Sequence, residues 1–145
     1  MDSKLFNENF AKILEIRKEL NSMEFNSAKY DELEEVLADL EDDFMEDFGD
    51  ELDEVITKIH HTLCPEIESA HPMAYFARNY TESEFVPGDY EINTGDGIKI
   101  IAEIKGKKVR GSLVWLPNPA RLVMISAEDI LVLWNSEKSE EVHLG

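Results

Sequence analysis

The chain has 145 residues, with 32 acids against 14 bases, a formal net charge of −18 and 43% hydrophobic residues. That length suits one domain or two small modules sharing a core, and the apolar fraction excludes a wholly disordered chain. One cysteine excludes an intramolecular disulfide framework and favours a reducing, cytoplasmic setting, and no run of about 18 apolar residues is present to cross a membrane.

The N-terminal segment is mixed in charge and helical in pattern, unlike a secretory signal. The acidic balance argues against nucleic acid or an anionic membrane as the main partner. The charge is also sharply split. Residues 1–96 carry 26 acids and 7 bases, whereas residues 97–145 carry 6 acids and 7 bases. The excess peaks between Asp31 and Glu54, where 14 of 24 residues are acidic and none is basic. Such asymmetry suggests modules with different surfaces.

Phe6, Phe10, Ile13 and Leu20, joined by Leu14 and Ile16, predict a first helix over residues 5–20, capped by Asp2 or Ser3. Asn21 to Ser27 is a short polar connection, and Asn26 or Ser27 is a suitable cap for the next helix. With Asn26 as cap, Phe25 and Tyr30 occupy the two ends of a hydrophobic staple. Tyr30, Leu33, Leu37, Leu40, Phe44, Phe48, Leu52, Val55 and Ile59 then step by three or four without losing phase at Gly49. A turn there would reset the phase. One long helix from Ala28 to about Leu63 is therefore expected, with a split at Phe48–Asp50 as the alternative. Cys64 precedes Pro65, which ends the run.

Pro72 suits the first turn of a short helix carrying Met73, Tyr75, Phe76 and Tyr80. Thr81 to Gly97 reads as a connector with turn signals at Pro87-Gly88-Asp89 and Gly95-Asp96-Gly97. Beyond it the period falls to two. A hairpin turning at Gly106-Lys107 would pair Ile104 with Val109, Ala102 with Gly111, Ile100 with Leu113 and Ile98 with Trp115, all on one face. Glu103 would then meet Arg110, and Lys105 would face Lys108, a like-charge contact. Leu116-Pro117-Asn118-Pro119 turns the chain. Arg121–Ile125 and Ile130–Asn135 read as strands, although Ser126-Ala127-Glu128-Asp129 also fits a capping box that would start a helix running towards Trp134. Glu140–Leu144 suits a short edge strand.

The expected fold class is α+β. An N-terminal helical hairpin with one long acidic amphipathic helix is followed by a small antiparallel sheet, an SH3-like roll or partial barrel by analogy. The expected organisation is a helical region 1–80, a connector 81–97 and an antiparallel β-module 98–145. A long helix covered by one shorter partner leaves apolar surface open, which predicts a homodimer through the helices.

No catalytic motif is present: there is no P-loop, dinucleotide fingerprint, nucleophile elbow or His-Glu-x-x-His. No cofactor is implied. Asp89, Asp96 and Asp129 fall in turns, where aspartate commonly caps. The acidic helix supplies the main candidate surface, with Asp39, Asp42, Asp43, Glu46, Asp47, Asp50, Glu51 and Glu54 docking a basic protein partner in the manner of an adaptor, inhibitor or immunity protein. The competing readings are a solvated helix face and a mimic of a nucleic-acid backbone. A calcium loop centred on Gly49 fails, because Phe44 would stand where an Asp is required.

His60, His61 and His71 make the one metal-like grouping, with Cys64 four residues after His60 and with Asp53 and Thr57 near the same strip. It gives an alternative function as a metal-binding protein or metal-dependent enzyme. The spacing fits no zinc motif, and histidines near a helix C-terminus also complement its dipole. Cys64 reads as a small buried residue. Lys99, Lys105, Lys107, Lys108 and Arg110 form a secondary basic patch, read either as a contact to phosphate or an acidic surface or as edge protection. Trp115 and Trp134 read as core; an exposed Trp beside Tyr80 or Tyr90 would instead mark a small-ligand groove, a third function.

Overall fold

The computed structural model describes residues 2–24, 27–77, 80–82, 90–92, 96–117, 119–127 and 129–138. It is α+β, with two helices packed as an antiparallel hairpin against one face of a four-stranded antiparallel sheet. Helix α1 spans Ser3–Asn21 and buries Phe6, Phe10, Ile13 and Leu20, the expected stripe. Asp2 caps it by accepting from Leu5 N–H at 3.1 Å.

Helix α2 spans Ala28–Leu63, 36 residues without a break, or about 54 Å. Its cap is Ser27, whose hydroxyl accepts from Tyr30 N–H at 3.1 Å. With that cap the staple positions no longer coincide with Phe25 and Tyr30, and Phe25 and Asn26 lie outside the described residues. The helix runs through Gly49 because the flanking residues are anchored. Phe44, Phe48, Leu52, Ile56, Ile59 and Leu63 are all buried. Each contributes about 1.5–3 kcal/mol on burial, against about 1 kcal/mol lost by glycine in a helix. Cys64 leaves helical geometry (φ −151°, ψ 65°) before Pro65, and the helix stops there.

Residues 64–77 form a strap from the end of α2 back across the core, ending in a single 3-10 turn, Pro72–Tyr75, with proline at its start as expected. Strands β1 (Thr81–Glu82) and β2 (Tyr90–Glu91) then make a small ladder within the expected connector. Pro87, Gly88, Asp89 and Gly95 lie outside the described residues, as does the expected edge strand Glu140–Leu144.

The main sheet is a meander of β3 (Ile98–Ile104), β4 (Lys107–Leu116), β5 (Arg121–Ser126) and β6 (Ile130–Asn135), in that spatial order. It is open: among the described residues no ladder joins β3 to β6 to close the roll or barrel suggested by analogy. The hairpin register differs from the sequence expectation by two residues. Ile104 faces Lys107, Ala102 faces Val109, Ile100 faces Gly111 and Ile98 faces Leu113. The turn is Lys105-Gly106, both at positive φ (51° and 78°). That is the signature of a type I′ turn with glycine second, rather than a II′ turn with glycine first. A shift of two preserves the faces, so the isoleucines still point to the core. It also replaces the Lys105–Lys108 contact by Glu103 opposite Lys108, and Ile101, not Glu103, faces Arg110. At the other end of β3, Gly97 (φ 75°) has no substitute: a Cβ there would stand 2.1 Å from the Leu113 carbonyl oxygen.

The capping-box alternative for Ser126–Asp129 is not realised. Ser126 N–H donates to the Asp129 carbonyl at 2.9 Å and its hydroxyl accepts from Asp129 N–H at 3.2 Å, closing the β5–β6 hairpin. A bulge lies between Leu122 and Val123 in the pairing with β6. It lets the consecutive residues Leu133 and Trp134 both enter the helix-facing core.

That core runs continuously from α1 and α2 through the strap into the sheet. Its centre is aromatic: Phe6 lies 5.2 Å from Phe44, 5.1 Å from Phe48 and 6.0 Å from Trp134 between ring centroids, and Phe10 stacks on Phe76 at 4.9 Å. The opposite face of the sheet has its own smaller core of Ala77, Val114, Leu116, Val123 and Ile125, covered by Tyr80, Tyr90 and Ile92. Tyr80, Tyr90 and Ile92 thus roof this second face of the sheet.

Candidate functional site

The acidic surface is built by α2. Its apolar stripe faces α1, the strap and the sheet, so the opposite side is left to water. At about 100° per residue, Glu32, Glu35, Asp39, Asp42, Asp43, Glu46, Asp50 and Asp53 share an arc of roughly 100° over a length of about 31 Å. All eight are exposed. Five of the residues expected from the sequence, Asp39, Asp42, Asp43, Glu46 and Asp50, are therefore brought together. Asp47 and Glu54 sit on the rim, and Glu51 lies on the far flank. Glu32, Glu35 and Asp53 extend the strip beyond the residues expected from the sequence; helical phase, not the local density of acids, identifies them.

Few of these carboxylates are neutralised. Among the described residues the ion pairs are Arg17–Glu41 at 2.8 Å and the exposed i,i+4 pair Lys58–Glu54 at 3.2 Å; Glu51 is also partnered. Arg17 is held in place by lying 4.9 Å over the Phe76 ring, so its charge is spent on fastening α1 to α2. Along the strip, like charges repeat at three and four residues. Each such pair costs about 0.2–0.5 kcal/mol, and an arriving cation relieves it.

Beside the strip lies a shallow cleft of about 350 Å³, bounded by Met45, Gly49, Asp50 and Asp53 of α2 and by Ser69, Ala70, His71 and Pro72 of the strap. A Cβ at Gly49 would stand 2.8 Å from Met45 Cε, so the missing side chain makes room for Met45 at the cleft wall. The cleft depends on the strap lying against α2, and nothing in the local sequence announces it.

The structure separates the histidines. His60 is buried, with Nδ1 2.9 Å from the Ile67 carbonyl and Nε2 2.8 Å from the Tyr75 hydroxyl. A carbonyl only accepts, so Nδ1 carries the proton, and in the Nδ1–H tautomer Nε2 accepts from the Tyr75 hydroxyl. Tyr75 in turn accepts from Ala70 N–H at 3.0 Å. Both ring nitrogens are thus committed to holding the strap. His61 is exposed on another side of the helix, and His71 Nδ1 accepts from Met73 N–H as the cap of the 3-10 turn. Among the described residues no group of three or more His, Cys, Asp or Glu is placed to hold a metal ion. Cys64 is buried, 3.7 Å from His60 Nδ1, and burial pushes its thiol pKa up, away from a reactive thiolate.

Neither tryptophan borders a groove. Trp115 and Trp134 are buried edge-to-face with centroids 5.9 Å apart. Trp115 Nε1 donates to the Pro72 carbonyl at 2.9 Å, and its own carbonyl accepts from the Tyr80 hydroxyl at 2.6 Å. Tyr80 also accepts from Ala77 N–H at 3.1 Å. Burial raises the pKa of Tyr75 and Tyr80 alike, more strongly for Tyr80.

The basic patch occupies the β3–β4 hairpin. Lys99, Lys105, Lys107, Lys108 and Arg110 are all exposed. No helix among the described residues is long and apolar enough to cross a membrane. In comparisons with protein-family models, curated proteins and solved structures, nothing matched the chain.

Proposed function

We propose that this chain is a non-catalytic, cytoplasmic interaction protein whose acidic α2 face binds a basic protein partner, as adaptors, inhibitors and immunity proteins do. The observation that carries the reading is the single-sided strip of eight exposed carboxylates on a helix whose other side is fixed by the core. Such a strip is preorganised: no backbone needs ordering when a partner arrives, so little of the interaction free energy is lost to entropy. Its field speeds encounter with a cationic surface and makes the rate depend on salt. The cleft at Asp50, Asp53 and His71 offers a recess beside the strip for one lysine or arginine side chain.

The test begins with native mass spectrometry of the chain purified gently from its own host, which identifies a co-purifying basic chain. Reversing Asp42, Asp43, Glu46 and Asp47 to lysine is expected to weaken binding of that chain by at least about tenfold at low salt. Unchanged affinity under those conditions removes the proposal.

A further inference from the structure

Two exposed aliphatic side chains sit in oppositely charged surroundings. Val36 on α2 is 44% exposed, and Glu32, Asp39 and Asp43, four residues before it and three and seven after it, lie around it on the helix surface. Ile101 on β3 is 49% exposed on the sheet face turned away from the helices. Its cross-strand partner is Arg110, and Lys99 and Lys108 stand on the same face in adjacent rows, together with one acid, Glu103, opposite Lys108. Lys105 and Lys107 flank the turn beyond them. Among the described residues none of these five cations forms an ion pair, in a chain where acids outnumber bases more than two to one. The basic row also fits within the length of the acidic strip. The acidic strip runs about 31 Å, and the cations from Lys99 to Lys105 span about 20 Å of strand.

We infer that the basic β3–β4 hairpin is a docking surface for the acidic α2 face of a second copy of this chain, with Val36 of one copy seated on Ile101 of the other. Two copies related by a two-fold axis make the contact twice, so the product is a closed dimer. This shares the acidic face with the functional reading above but needs no foreign partner. It also takes the place of the helix-bundle dimer expected from the sequence, because Leu37 and Leu40 already pack against the core of their own chain.

The salt dependence of such a dimer is distinctive. Each copy carries a net charge of −18. In dilute buffer the screening length is about 30 Å, so whole-molecule repulsion keeps the copies apart. Near physiological salt it is about 8 Å. Repulsion between molecular centres is then screened out, while charges in direct contact still attract. In molar salt, at about 3 Å, the contact attraction is lost too. Association therefore peaks at intermediate salt. A purely apolar helix bundle would instead strengthen steadily as salt rises.

The experiment is sedimentation velocity on the purified full chain at these three salt levels. Dimer at physiological salt, with monomer at both extremes, supports the proposal. Monomer throughout, or dimer that persists and strengthens into molar salt, overturns it. The exposed triple variant Lys99→Glu/Lys108→Glu/Arg110→Glu is expected to weaken the dimer by at least about tenfold, and so is Glu32→Lys/Asp39→Lys/Asp43→Lys. An equimolar mixture of the two variants is expected to restore it, because every reversed patch then meets its complement. Wild-type dimerisation by the hairpin variant, with its fold verified by circular dichroism, also overturns the proposal. The hairpin variant keeps the acidic face, so it retains binding of a foreign basic chain, whereas the α2 variant loses both. Failure of self-association is thereby distinguished from failure of the functional reading.

Discussion

The two halves of α2 carry the same three-and-four spacing of apolar residues yet do different things. From Phe44 to Leu63 the helix buries Phe44, Phe48, Leu52, Ile56, Ile59, His60 and Leu63 against α1, the strap and the sheet. From Ala28 to Asp43 it has no buried residue; Tyr30, Leu33, Leu37 and Leu40 are only half-covered, and Val36 is open to solvent. Periodicity thus records which face of a helix is apolar. How much of that face becomes core depends on how many neighbours arrive, and the N-terminal half has only α1.

The most direct way to break this comparison is a pair of truncations. Phe44→Ala should cost about 3–5 kcal/mol, because it empties a site shared by Phe6, Phe10, Phe48 and Phe76. Leu33→Ala should cost about 1 kcal/mol, since that side chain is only partly buried to begin with. Urea unfolding of both variants decides the matter, and equal losses would refute the division.

A second comparison sets the strap against the helix it crosses. His60→Ala leaves the Ile67 carbonyl and the Tyr75 hydroxyl without their partner, at a cost of about 2–4 kcal/mol. Tyr75→Phe removes one donor and should cost about 1–2 kcal/mol. Hydrogen exchange should show faster opening of residues 64–77 in both variants, with α1 much less affected. Uniform acceleration would mean that the strap is not a separate fastening.

Alkaline pH probes the same region and Tyr80 beyond it. Cys64, Tyr75 and Tyr80 all have pKa values raised by burial. In the unfolded chain these groups ionise at their ordinary values, so above about pH 9 the unfolded state holds fewer protons than the folded one. Their contribution is therefore intact below that range and is lost as pH rises through it. The urea midpoint should fall progressively above about pH 9, and less steeply in Tyr80→Phe. A midpoint that rises over this range would contradict the burial.

The smallest effect concerns the hairpin tip. Lys105 holds φ 51°, a conformation that costs a side-chain-bearing residue some strain. Lys105→Gly should stabilise by up to about 1 kcal/mol if relief of that strain exceeds glycine's entropy cost, and thermal unfolding reads the sign. Destabilisation would mean that glycine's entropy cost outweighs the strain relieved at the turn.

Both helices, their bounds, the passage through Gly49 and all four main strands were legible in the sequence. So was the face each isoleucine of β3 presents, because alternation survives a two-residue error in register. The register itself was not legible. Gly106 fits either kind of two-residue turn, and only the φ of Lys105 distinguishes them. The acidic face was legible as composition, but Glu32, Glu35 and Asp53 needed helical phase to be recognised. The histidines looked like a group because they are close in sequence. They part company because successive helix positions point about 100° apart and His71 lies on a different element.

By itself, then, the sequence determined the local structure: periodicities, caps and breakers act between residues a few positions apart, where geometry is fixed by the backbone. Tertiary structure alone decided that the strap would lie on α2 through His60 and Tyr75, that Tyr80, Tyr90 and Ile92 would roof the second face of the sheet, and that a bulge would turn both Leu133 and Trp134 inward. Those outcomes depend on which surfaces of distant segments fit together and satisfy each other's polar groups. That complementarity is a property of shapes in space, and no window along the chain contains it.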